Sequence, residues 1–369
     1  MTTLVVTNDF PPRPGGIQAY VHNLAVRQPA GELVVYASGW PGAAAFDADQ
    51  PFEVVRHPGS LLLPTPGALR RVRAVARARE CDRVWFGAAA PLGLLAGPLG
   101  LQRSVASTYG HEVGWARLPV SRQALRRIGR EVDVVTYLAE YTRRRIAPAL
   151  GPGARLEALP PGVDAQAFRP GSGGEQVRRA HGLSDRPVVV CVSRLVPRKG
   201  QDVLVRALPE VRRRVPGAVL LVVGGGPDAP RLHRLAAEHD VSDAVVLTGE
   251  VPWADLPAHY DAGDVFAMPC RTRRAGLDVE GLGIVYLEAS ATGLPVVAGR
   301  SGGAPDAVLD GVTGHVVDGR CVPEVARRVA ELLADPERSR AMGEAGRAWV
   351  QRDWRWDVLA ARLGSLLAG

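Results

Sequence analysis

Short strand-like runs alternate with helical segments along the whole chain, and this alternation begins twice. The first series of apolar runs comprises Leu4–Thr7, Leu33–Ser38, Arg83–Phe86, Ser104–Ser107 and Val132–Tyr137. The second series comprises Val188–Ser193, Ala218–Val223, Val245–Thr248, Asp264–Met268, Pro295–Ala298 and His315–Val317. Apolar strands that alternate with helices form parallel sheets covered by helices on both faces. The pattern therefore predicts an α/β protein with two doubly wound, Rossmann-like domains, which face each other across a cleft.

A segment rich in proline and glycine separates the two series. It runs from Leu159-Pro160-Pro161-Gly162 to Gly171-Ser172-Gly173-Gly174, a composition typical of a linker. We therefore predict an N-terminal domain over residues 1–165 and a C-terminal domain over residues 166–353.

The tail of the chain shows helical periodicity and no further strand. It begins at Asp335 and carries three closely spaced tryptophans, Trp349, Trp354 and Trp356. Because these large apolar rings must be covered, we expect the tail to pack across the domain junction. Its last helix, residues 354–369, is predicted to cross back to the first domain.

Chain length, cysteine spacing and the length of uncharged stretches indicate how many domains the chain forms and in which compartment it folds. A chain of 369 residues can bury two domain cores, and its four cysteines form no C-x-x-C pair, which favours a reducing, cytoplasmic compartment. The longest uncharged stretch, Gly87–Gln102, is shorter than the roughly 20 residues that span a bilayer. We expect a cytoplasmic protein that associates peripherally, if at all, with the inner face of the cell membrane.

The excess of positive over negative charge lies entirely in the first half of the chain. Residues 1–160 hold 19 arginines and 12 acidic residues, whereas residues 161–369 hold 26 basic and 26 acidic residues. A helix predicted over Thr65–Glu80 carries several of these arginines, namely Arg70, Arg71, Arg73 and Arg77. Such a basic amphipathic helix is a candidate for docking on anionic lipid, and a solvated arginine face is the alternative. Aromatic residues are only 5% of the chain, so a nucleic-acid partner is not expected.

Of the 45 basic residues, only Lys199 is a lysine. It is predicted to open a helix five residues after Arg194, which follows the first strand of the second series. A guanidinium and an ammonium beside one helix N-terminus would form a clamp for a diphosphate. The alternative is a pair of solvated surface charges.

Two glutamates and two glycines form a further candidate site, Glu280-Gly281-Leu282-Gly283 followed by Glu288. We expect the glycines to open a helix whose free N–H groups take a phosphate. Glu280 and Glu288 are then about 12 Å apart along the axis, too far to act as a glycosidase pair on one bond. They can instead hold a sugar and a ribose at the two ends of one long ligand.

In the first domain, two loops that follow strands carry candidate residues. Gly15 and Gly16 precede a helix predicted over Ile17–Val26, where the backbone can approach an anionic ligand closely. His111 follows the strand Ser104–Ser107, at the carboxyl edge where such sheets bind ligands. A structural histidine is the alternative.

One motif favours a different class of enzyme. Gly224-Gly225-Gly226-Pro227-Asp228-Ala229 matches G-x-G-x-x-A, and Glu250 lies 21 residues after Ala229, a pattern typical of a dinucleotide-binding oxidoreductase. However, the motif follows the second strand of its series, and Asp228 would bring a negative charge to a pyrophosphate. We interpret these glycines as a turn that borders a nucleotide.

In combination, these motifs resemble the retaining glycosyltransferases of family 4 with the GT-B fold. The shared elements are the G-G loop, the S-R-x-x-x-x-K clamp, the G-G-G-P turn, the E-x7-E element and the C-terminal crossover helix. Three segments, Val6–Gln18, Arg273–Gly283 and Ser301–Pro305, are similar to actinobacterial phosphatidylinositol mannoside mannosyltransferases of the PimB-like type, which use GDP-mannose.

The resemblance implies a role for each matching residue. Its catalytic residues would be His111, Arg194, Lys199 and Glu280. Its donor-binding residues would be Gly16, Arg194, Lys199, Gly225, Val251, Glu280, Gly281, Leu282, Gly283, Ile284 and Glu288. Its acceptor-binding residues would be Asn8, Asp9, Gly15, Gly16, Gln18 and His111.

In such an enzyme the two cations hold the donor diphosphate, Glu288 accepts from the ribose hydroxyls, and His111 contacts the hexose near its 6-hydroxyl. Transfer proceeds on one face of the sugar, with a donor phosphate oxygen taking the acceptor's proton. No D-x-D metal motif is expected and no cofactor is required. Bound Mg²⁺ stays open as an alternative, although no motif supports it.

The implied reaction moves mannose from GDP-mannose to a phosphatidylinositol mannoside. Four alternatives stay open: another nucleotide sugar with a small-molecule or polysaccharide acceptor, a sugar-nucleotide epimerase, an NAD-dependent oxidoreductase, and a catalytically silent lipid-binding module.

Overall fold

The computed structural model describes every residue, Met1–Gly369, and its first sheet has seven parallel strands. They are β1 (Thr2–Thr7), β2 (Leu33–Ala37), β3 (Glu53–Arg56), β4 (Cys81–Phe86), β5 (Arg103–Ser107), β6 (Val134–Tyr137) and β7 (Leu156–Ala158). Their spatial order is β3-β2-β1-β4-β5-β6-β7. The two strands that the sequence did not predict, β3 and β7, are the edge strands. They contain no fully buried residue, so they lack the apolar run that marks the central strands.

Helices cover both faces of this sheet. They are α1 (Gly16–Ala25), α2 (Ala43–Ala48), α3 (Pro66–Ala78), α4 (Ala96–Leu99), α5 (Glu112–Trp115), α6 (Pro119–Glu131) and α7 (Glu140–Leu150). Apolar residues of α3, α4, α6 and α7 share one core with the sheet, and α1 packs on the opposite face. Thr65 caps α3, because its hydroxyl accepts a hydrogen bond of 3.2 Å from the Ala68 amide.

The second sheet repeats the topology of the first. Its strands are β8 (Val188–Val192), β9 (Val219–Val223), β10 (Val245–Leu247), β11 (Val265–Met268), β12 (Val296–Gly299) and β13 (Gly314–Val317). Their order, β10-β9-β8-β11-β12-β13, matches that of the first six strands, and all neighbouring strands are parallel. The prediction of two doubly wound, Rossmann-like sheets is confirmed.

The helices of the second sheet are α8 (Gly174–Ala180), α9 (Gln201–Arg214), α10 (Ala229–Glu238), α11 (Leu256–Asp261), α12 (Ile284–Ala291), α13 (Val322–Ala334) and α14 (Pro336–Asp353). The most extensive packing joins α9 to α13, and α12 packs against α14. A 3-10 turn over Pro197–Lys199 directly precedes α9. No helix of the chain combines the length and apolarity needed to cross a bilayer.

Backbone proximity divides the chain into two units. The first unit is Met1–Gly162 together with Trp356–Gly369, and the second is Val163–Arg355. The last helix, α15 (Trp356–Ala368), therefore belongs to the first unit, where its leucines join the core on the α1 side of the sheet.

The three tail tryptophans are covered within these units. Trp349 and Trp354 are buried in the second unit and pack edge to face, with ring centroids 5.2 Å apart. Trp356 contacts Tyr20 of the first unit at 6.1 Å between ring centroids.

The α15 helix should contribute strongly to the stability of the first unit. Leu363 is fully buried, so Leu363→Ala is expected to lower the free energy of unfolding by about 2–4 kcal/mol, because the substitution leaves a cavity. Urea denaturation measures this difference. The matched control is Leu118→Ala at an exposed position, which should change stability by less than about 0.5 kcal/mol. Equal effects of the two substitutions would contradict the packing described for α15.

Candidate active site

A buried ion pair joins the loops after β8 and β11 in the second unit. The Lys199 ammonium lies 2.7 Å from Oε2 of Glu280, and both side chains are largely buried. Lys199 ends the 3-10 turn before α9, and Gly200, at φ 83°, forms the N-cap of that helix. The lysine and the first glutamate of the E-x7-E element, predicted as parts of separate motifs, are therefore direct partners.

Arg198 extends this pair into a small network that the sequence analysis missed. Its guanidinium lies 3.6 Å from Asp278 and 3.8 Å from Glu280. Its carbonyl accepts a hydrogen bond of 2.8 Å from the Arg271 amide, which ties the two loops together. The available signal was adjacency, because Arg198 precedes Lys199 and Asp278 lies two residues before Glu280.

Arg194, the other predicted half of the clamp, is exposed and makes no ion pair or side-chain hydrogen bond. Its backbone is fixed, because the Gln201 side-chain amide donates to the Arg194 carbonyl at 3.2 Å and to the Ser193 hydroxyl at 2.8 Å. The site thus contains one cation that is neutralised internally, on Lys199, and one that is free to bind an anion.

The helix that carries the second glutamate starts later than predicted. Gly281 and Gly283 were expected to open it, but α12 begins at Ile284, and Gly283 is its N-cap at φ 80°. That left-handed conformation suits glycine and cannot continue a right-handed helix. Glu280, Gly281 and Leu282 consequently lie in the loop before α12.

The segment Ser301–Gly303 holds this loop in place. The Gly303 amide donates to the Glu280 carbonyl at 3.0 Å, and the Glu280 amide donates to the Ser301 hydroxyl at 3.3 Å. The backbone of Glu280 is therefore fixed independently of its ion pair.

Glu288 lies on α12 beside a buried tyrosine. The Tyr260 hydroxyl donates a hydrogen bond of 2.6 Å to Oε2 of Glu288. Burial nevertheless raises the pKa of Glu288 to about 7, and the hydrogen bond from Tyr260 opposes this rise. Sequence reasoning missed Tyr260, because a buried aromatic residue in a helix carries no signal of a polar role.

The glycine turn after β9 packs against the loop that carries Arg194. The Leu195 amide donates to the Gly225 carbonyl at 2.8 Å, and the Gly224 amide donates to Gly249 at 2.9 Å. The side chain of Glu250 fills the space beside Gly225, and Val251 follows it, half-buried. This close backbone approach explains the glycines without a dinucleotide.

Asp228, at the end of the same turn, is bound by its own helix. The Arg231 guanidinium forms two hydrogen bonds of 2.8 Å with its carboxylate. These bonds hold the pKa of Asp228 below its usual range. The negative charge that argued against a pyrophosphate here is therefore neutralised internally.

In the first unit, side chains of the predicted acceptor loop contact one another. The Gln18 amide donates to Oδ1 of Asp9 at 2.9 Å, and the same side chain occupies the space beside Gly15. Gly16 begins α1 and has open space beside it. Burial raises the pKa of Asp9, while the positive charges of Arg13 and His111 oppose that rise. Asp9 and His111 are thus close enough to interact electrostatically.

Asn8 connects this loop to the segment before α3. Its side-chain amide donates to the Leu62 carbonyl at 2.8 Å, and its side-chain oxygen accepts from the Leu62 amide at 2.7 Å. Asn8 therefore clamps Leu62 through two hydrogen bonds. Both the N–H and the oxygen of its side-chain amide are bonded to the Leu62 backbone.

His111 pairs with a buried carboxylate that the sequence analysis missed. Nε2 of His111 lies 3.1 Å from Oε1 of Glu112, whose other oxygen accepts from the amides of Tyr109 and Gly110 at 3.1 and 3.0 Å. Burial raises the pKa of Glu112, whereas His111 and the amide donors act in the opposite direction. The buried Glu112 carboxylate therefore lies against an imidazole that is itself exposed. Its adjacency to His111 was the only signal.

Comparison with known proteins shows the family. Residues 14–167 match the model described as Glycosyltransferase Family 4, and residues 174–349 match Glycosyl transferases group 1. The chain is 57% identical, over 99% of its length and 98% of the relative's, to the GDP-mannose-dependent alpha-(1-6)-phosphatidylinositol monomannoside mannosyltransferase of Mycolicibacterium smegmatis. The chain is a family 4 glycosyltransferase.

A second relative is the GDP-mannose-dependent monoacylated alpha-(1-6)-phosphatidylinositol monomannoside mannosyltransferase of Corynebacterium glutamicum. It is 50% identical to this glycosyltransferase, and the match covers 99% of this chain and 97% of the length of the relative. These relationships favour a glycosyltransferase over the alternatives of an oxidoreductase and of an epimerase.

Solved structures show the fold of the glycosyltransferase to be GT-B. Anabaena HepE in a complex with UDP superposes with a TM-score of 0.79 at 19% identity, over 100% of both chains. WaaG, a glycosyltransferase of lipopolysaccharide biosynthesis, superposes with a TM-score of 0.65 at 19% identity, again over both whole chains. No group of three or more His, Cys, Asp or Glu side chains in the glycosyltransferase is arranged to hold a metal ion.

The raised pKa of Glu288 should make the stability of this glycosyltransferase fall as pH rises. The carboxyl group titrates near 7 when folded and nearer 4 when unfolded, so the native state binds more protons between these values. Glu288→Gln removes this dependence. We therefore expect the free energy of unfolding of the variant, relative to that of the parent chain, to be higher at pH 8 than at pH 5 by about 1–3 kcal/mol. Urea titrations at the two pH values measure the difference.

The control for this prediction is Glu337→Gln, at an exposed position in the first turn of α14. It should leave the pH dependence of the parent chain unchanged. If Glu288→Gln also left that dependence unchanged, the carboxyl group would not titrate as described.

Proposed function

We propose that this glycosyltransferase transfers mannose, with retention of configuration, from GDP-mannose to a phosphatidylinositol mannoside. The observation that carries the proposal is the Lys199–Glu280 ion pair. It joins the only lysine of the chain to the first glutamate of the E-x7-E element at the start of α9, while Arg194, five residues before Lys199, is exposed and unpaired. The names of the relatives at 57% and 50% identity support this choice of donor and acceptor.

The donor binds through residues of the second unit. Arg194 and Lys199 hold the diphosphate, so that the negative charge released when the glycosidic bond breaks meets two cations. Freed from Lys199 in part, the Glu280 carboxylate accepts hydrogen bonds from hexose hydroxyls. The backbone amides of Gly281, Leu282 and Gly283 donate to the hexose and its phosphate. Glu288 accepts from the ribose hydroxyls through the oxygen that Tyr260 does not occupy.

The acceptor binds through residues of the first unit. The loop Asn8–Gln18 lines its path, with Gly15 and Gly16 allowing close approach, and His111 contacts the hexose near its 6-hydroxyl. The acceptor hydroxyl forms the new bond to the anomeric carbon while the bond from that carbon to the phosphate oxygen breaks. A phosphate oxygen of the leaving GDP takes the acceptor's proton on the same face of the sugar, so configuration is retained.

Neither a metal ion nor another cofactor enters this reaction scheme. Arg194 and Lys199 supply the positive charge that Mg²⁺ supplies elsewhere.

The product of the reaction tests this function. The purified chain, incubated with GDP-mannose and phosphatidylinositol monomannoside in detergent micelles, is expected to add one hexose to the lipid, as read by mass spectrometry. UDP-glucose and ADP-glucose should give no product above background. Transfer from another nucleotide sugar, or only to a water-soluble sugar, would overturn the proposed donor or acceptor.

Calorimetric titration with GDP tests the clamp separately. Lys199→Ala should weaken GDP binding by at least ~1.5 kcal/mol, the order of a charged hydrogen bond. Arg194→Ala should weaken it similarly, and since Arg194 is exposed and unpaired its removal leaves folding intact.

The matched control is Arg214→Ala at the far end of α9, where the guanidinium pairs with Glu210. It should bind GDP like the parent chain. Unchanged GDP affinity in both clamp variants would contradict the assignment.

A further inference from the structure

Trp40 presents an indole to solvent at the carboxyl edge of the first sheet. It lies three residues after β2 and is 38% exposed, whereas most tryptophans of the chain are covered. The guanidinium of Arg13 lies over the ring, with its Cζ 5.4 Å from the ring centroid. Arg13 belongs to the loop after β1, the strand that pairs with β2, so the contact joins two neighbouring loops.

Hydrogen bonds fix the segment that leads to Trp40 against the loop after β1. The Ser38 hydroxyl donates to the Asn8 carbonyl at 2.9 Å. The Arg56 guanidinium donates to the carbonyls of both Ser38 and Pro11, so one side chain holds the two loops together. The indole therefore has a defined position beside the loop that is proposed to bind the acceptor.

The backbone on both sides of the indole is also held. The Gly39 amide donates to the Gly59 carbonyl at 2.8 Å, and a Cβ at Gly39 would lie only 2.8 Å from the carbonyl oxygen of His57. The Trp40 carbonyl accepts from the Ala43 amide at 3.3 Å. The exposed ring is thus carried by a turn that is packed closely against the sheet.

Arg13 keeps its hydrogen-bonding groups free. Its guanidinium is half-buried and forms no hydrogen bond or ion pair. Its positive charge opposes the rise that burial causes in the pKa of Asp9, so the two side chains interact electrostatically. One oxygen of Asp9 accepts from Gln18, and no hydrogen bond occupies the other. The cluster therefore combines an apolar ring face, several N–H donors and a carboxylate acceptor.

We propose that Trp40 and Arg13 form a subsite for the mannosyl group that the acceptor already carries. A pyranose has an apolar C–H face and a rim of hydroxyls. The indole stacks on that face, while Arg13 donates to the hydroxyls and Asp9 accepts from them. This inference rests on the proposed function, and it names the residues that distinguish phosphatidylinositol monomannoside from phosphatidylinositol.

The charge of the cluster favours the mannosyl group over the inositol phosphate. Arg13 and Asp9 carry opposite charges, so the surface beside the indole is close to neutral. A phosphate bound here would meet the Asp9 carboxylate as well as the guanidinium, and like charges in contact disfavour binding. The inositol ring is joined directly to the phosphate, whereas the mannosyl group is neutral and is separated from it by the inositol.

Binding of deacylated headgroups tests the subsite. The full chain, saturated with GDP, is titrated calorimetrically with glycerophosphoinositol monomannoside and with glycerophosphoinositol, which lacks the mannosyl group. Trp40→Ala is expected to weaken binding of the mannosylated headgroup about tenfold and that of the other less than about twofold, because only the stacking contact is lost. Arg13→Gln should weaken binding of the mannosylated headgroup about fivefold, because its hydrogen bonds to hydroxyls are lost.

Two matched variants accompany this titration. Trp40→Phe keeps an apolar ring face and should bind the mannosylated headgroup within about threefold of the parent chain. Trp253 is the other exposed tryptophan, at 59%, and belongs to the second unit, so Trp253→Ala should leave headgroup binding unchanged. Equal weakening of both headgroups by Trp40→Ala, or no weakening, would overturn the subsite. The ratio of the two affinities is independent of the folded fraction, so partial unfolding cannot mimic the expected result.

Steady-state kinetics in detergent micelles provides a second readout. Trp40→Ala should raise the KM for phosphatidylinositol monomannoside about tenfold and leave kcat and the KM for GDP-mannose within about twofold of the parent values, because it removes only acceptor binding. A similar loss for both substrates would indicate a purely structural role and would overturn the subsite.

Contact of Trp40 with lipid is an outcome that vesicles would reveal. Three of the arginines predicted for lipid contact are exposed on α3, namely Arg70, Arg71 and Arg77. The fourth, Arg73, is half-buried and donates to the Pro98 carbonyl, so it anchors α3 to α4. Trp40→Ala should sediment with vesicles of phosphatidylcholine and phosphatidylinositol like the parent chain. Lost sedimentation with unchanged headgroup affinity would overturn the subsite.

The same measurements separate the subsite from the proposed function. Mannosyl transfer to phosphatidylinositol monomannoside with an unchanged ratio of headgroup affinities in Trp40→Ala would overturn the subsite and leave the function standing. Binding of the mannosylated headgroup that depends on Trp40, without any mannosyl transfer in micelles, would overturn the function and leave the subsite standing.

Discussion

The Lys199–Glu280 ion pair is the interaction on which the candidate donor site depends. It joins the loops after two neighbouring central strands, β8 and β11, and it is withdrawn from water. Removing one partner from such a pair costs far more than the pair contributes, because the remaining charge is left buried alone. The pair therefore keeps both charged groups close to the start of α9. In the proposed reaction, the donor diphosphate replaces the Glu280 carboxylate as the partner of the Lys199 ammonium.

Much of the fold follows from the sequence because its central strands are buried on both faces. Continuous apolar runs such as Val219–Val223 predict buried strands. The edge strands β3 and β7 bury no residue completely, so their sequences resemble those of loops. The start of α12 was misplaced for a local reason. A glycine can either begin a helix or cap it, and only the left-handed conformation of Gly283 decides which.

Residues of the candidate site could be predicted where the residue itself is unusual in the sequence. They could not be predicted where a residue matters only through its contact with another side chain. Lys199 is conspicuous as the only lysine, and His111 follows a strand, so the sequence indicates both as candidates. Glu112 and Arg198 are sequence neighbours of these residues, but adjacency alone does not show that Glu112 meets the imidazole or that Arg198 meets Glu280. Tyr260 lies 28 residues from Glu288, so only the three-dimensional structure shows their hydrogen bond.

The clamp of Asn8 on Leu62 has a mechanical consequence. One amide side chain holds the backbone of Leu62, in the segment before α3, at two points, and the next residue along the chain is Asp9, whose carboxylate is bound by Gln18. A displacement of the segment before α3 is therefore transmitted, over a single peptide unit, to the Asp9 carboxylate. One side chain thus sets the positions of both the connection that leads into α3 and the polar groups at the start of α1.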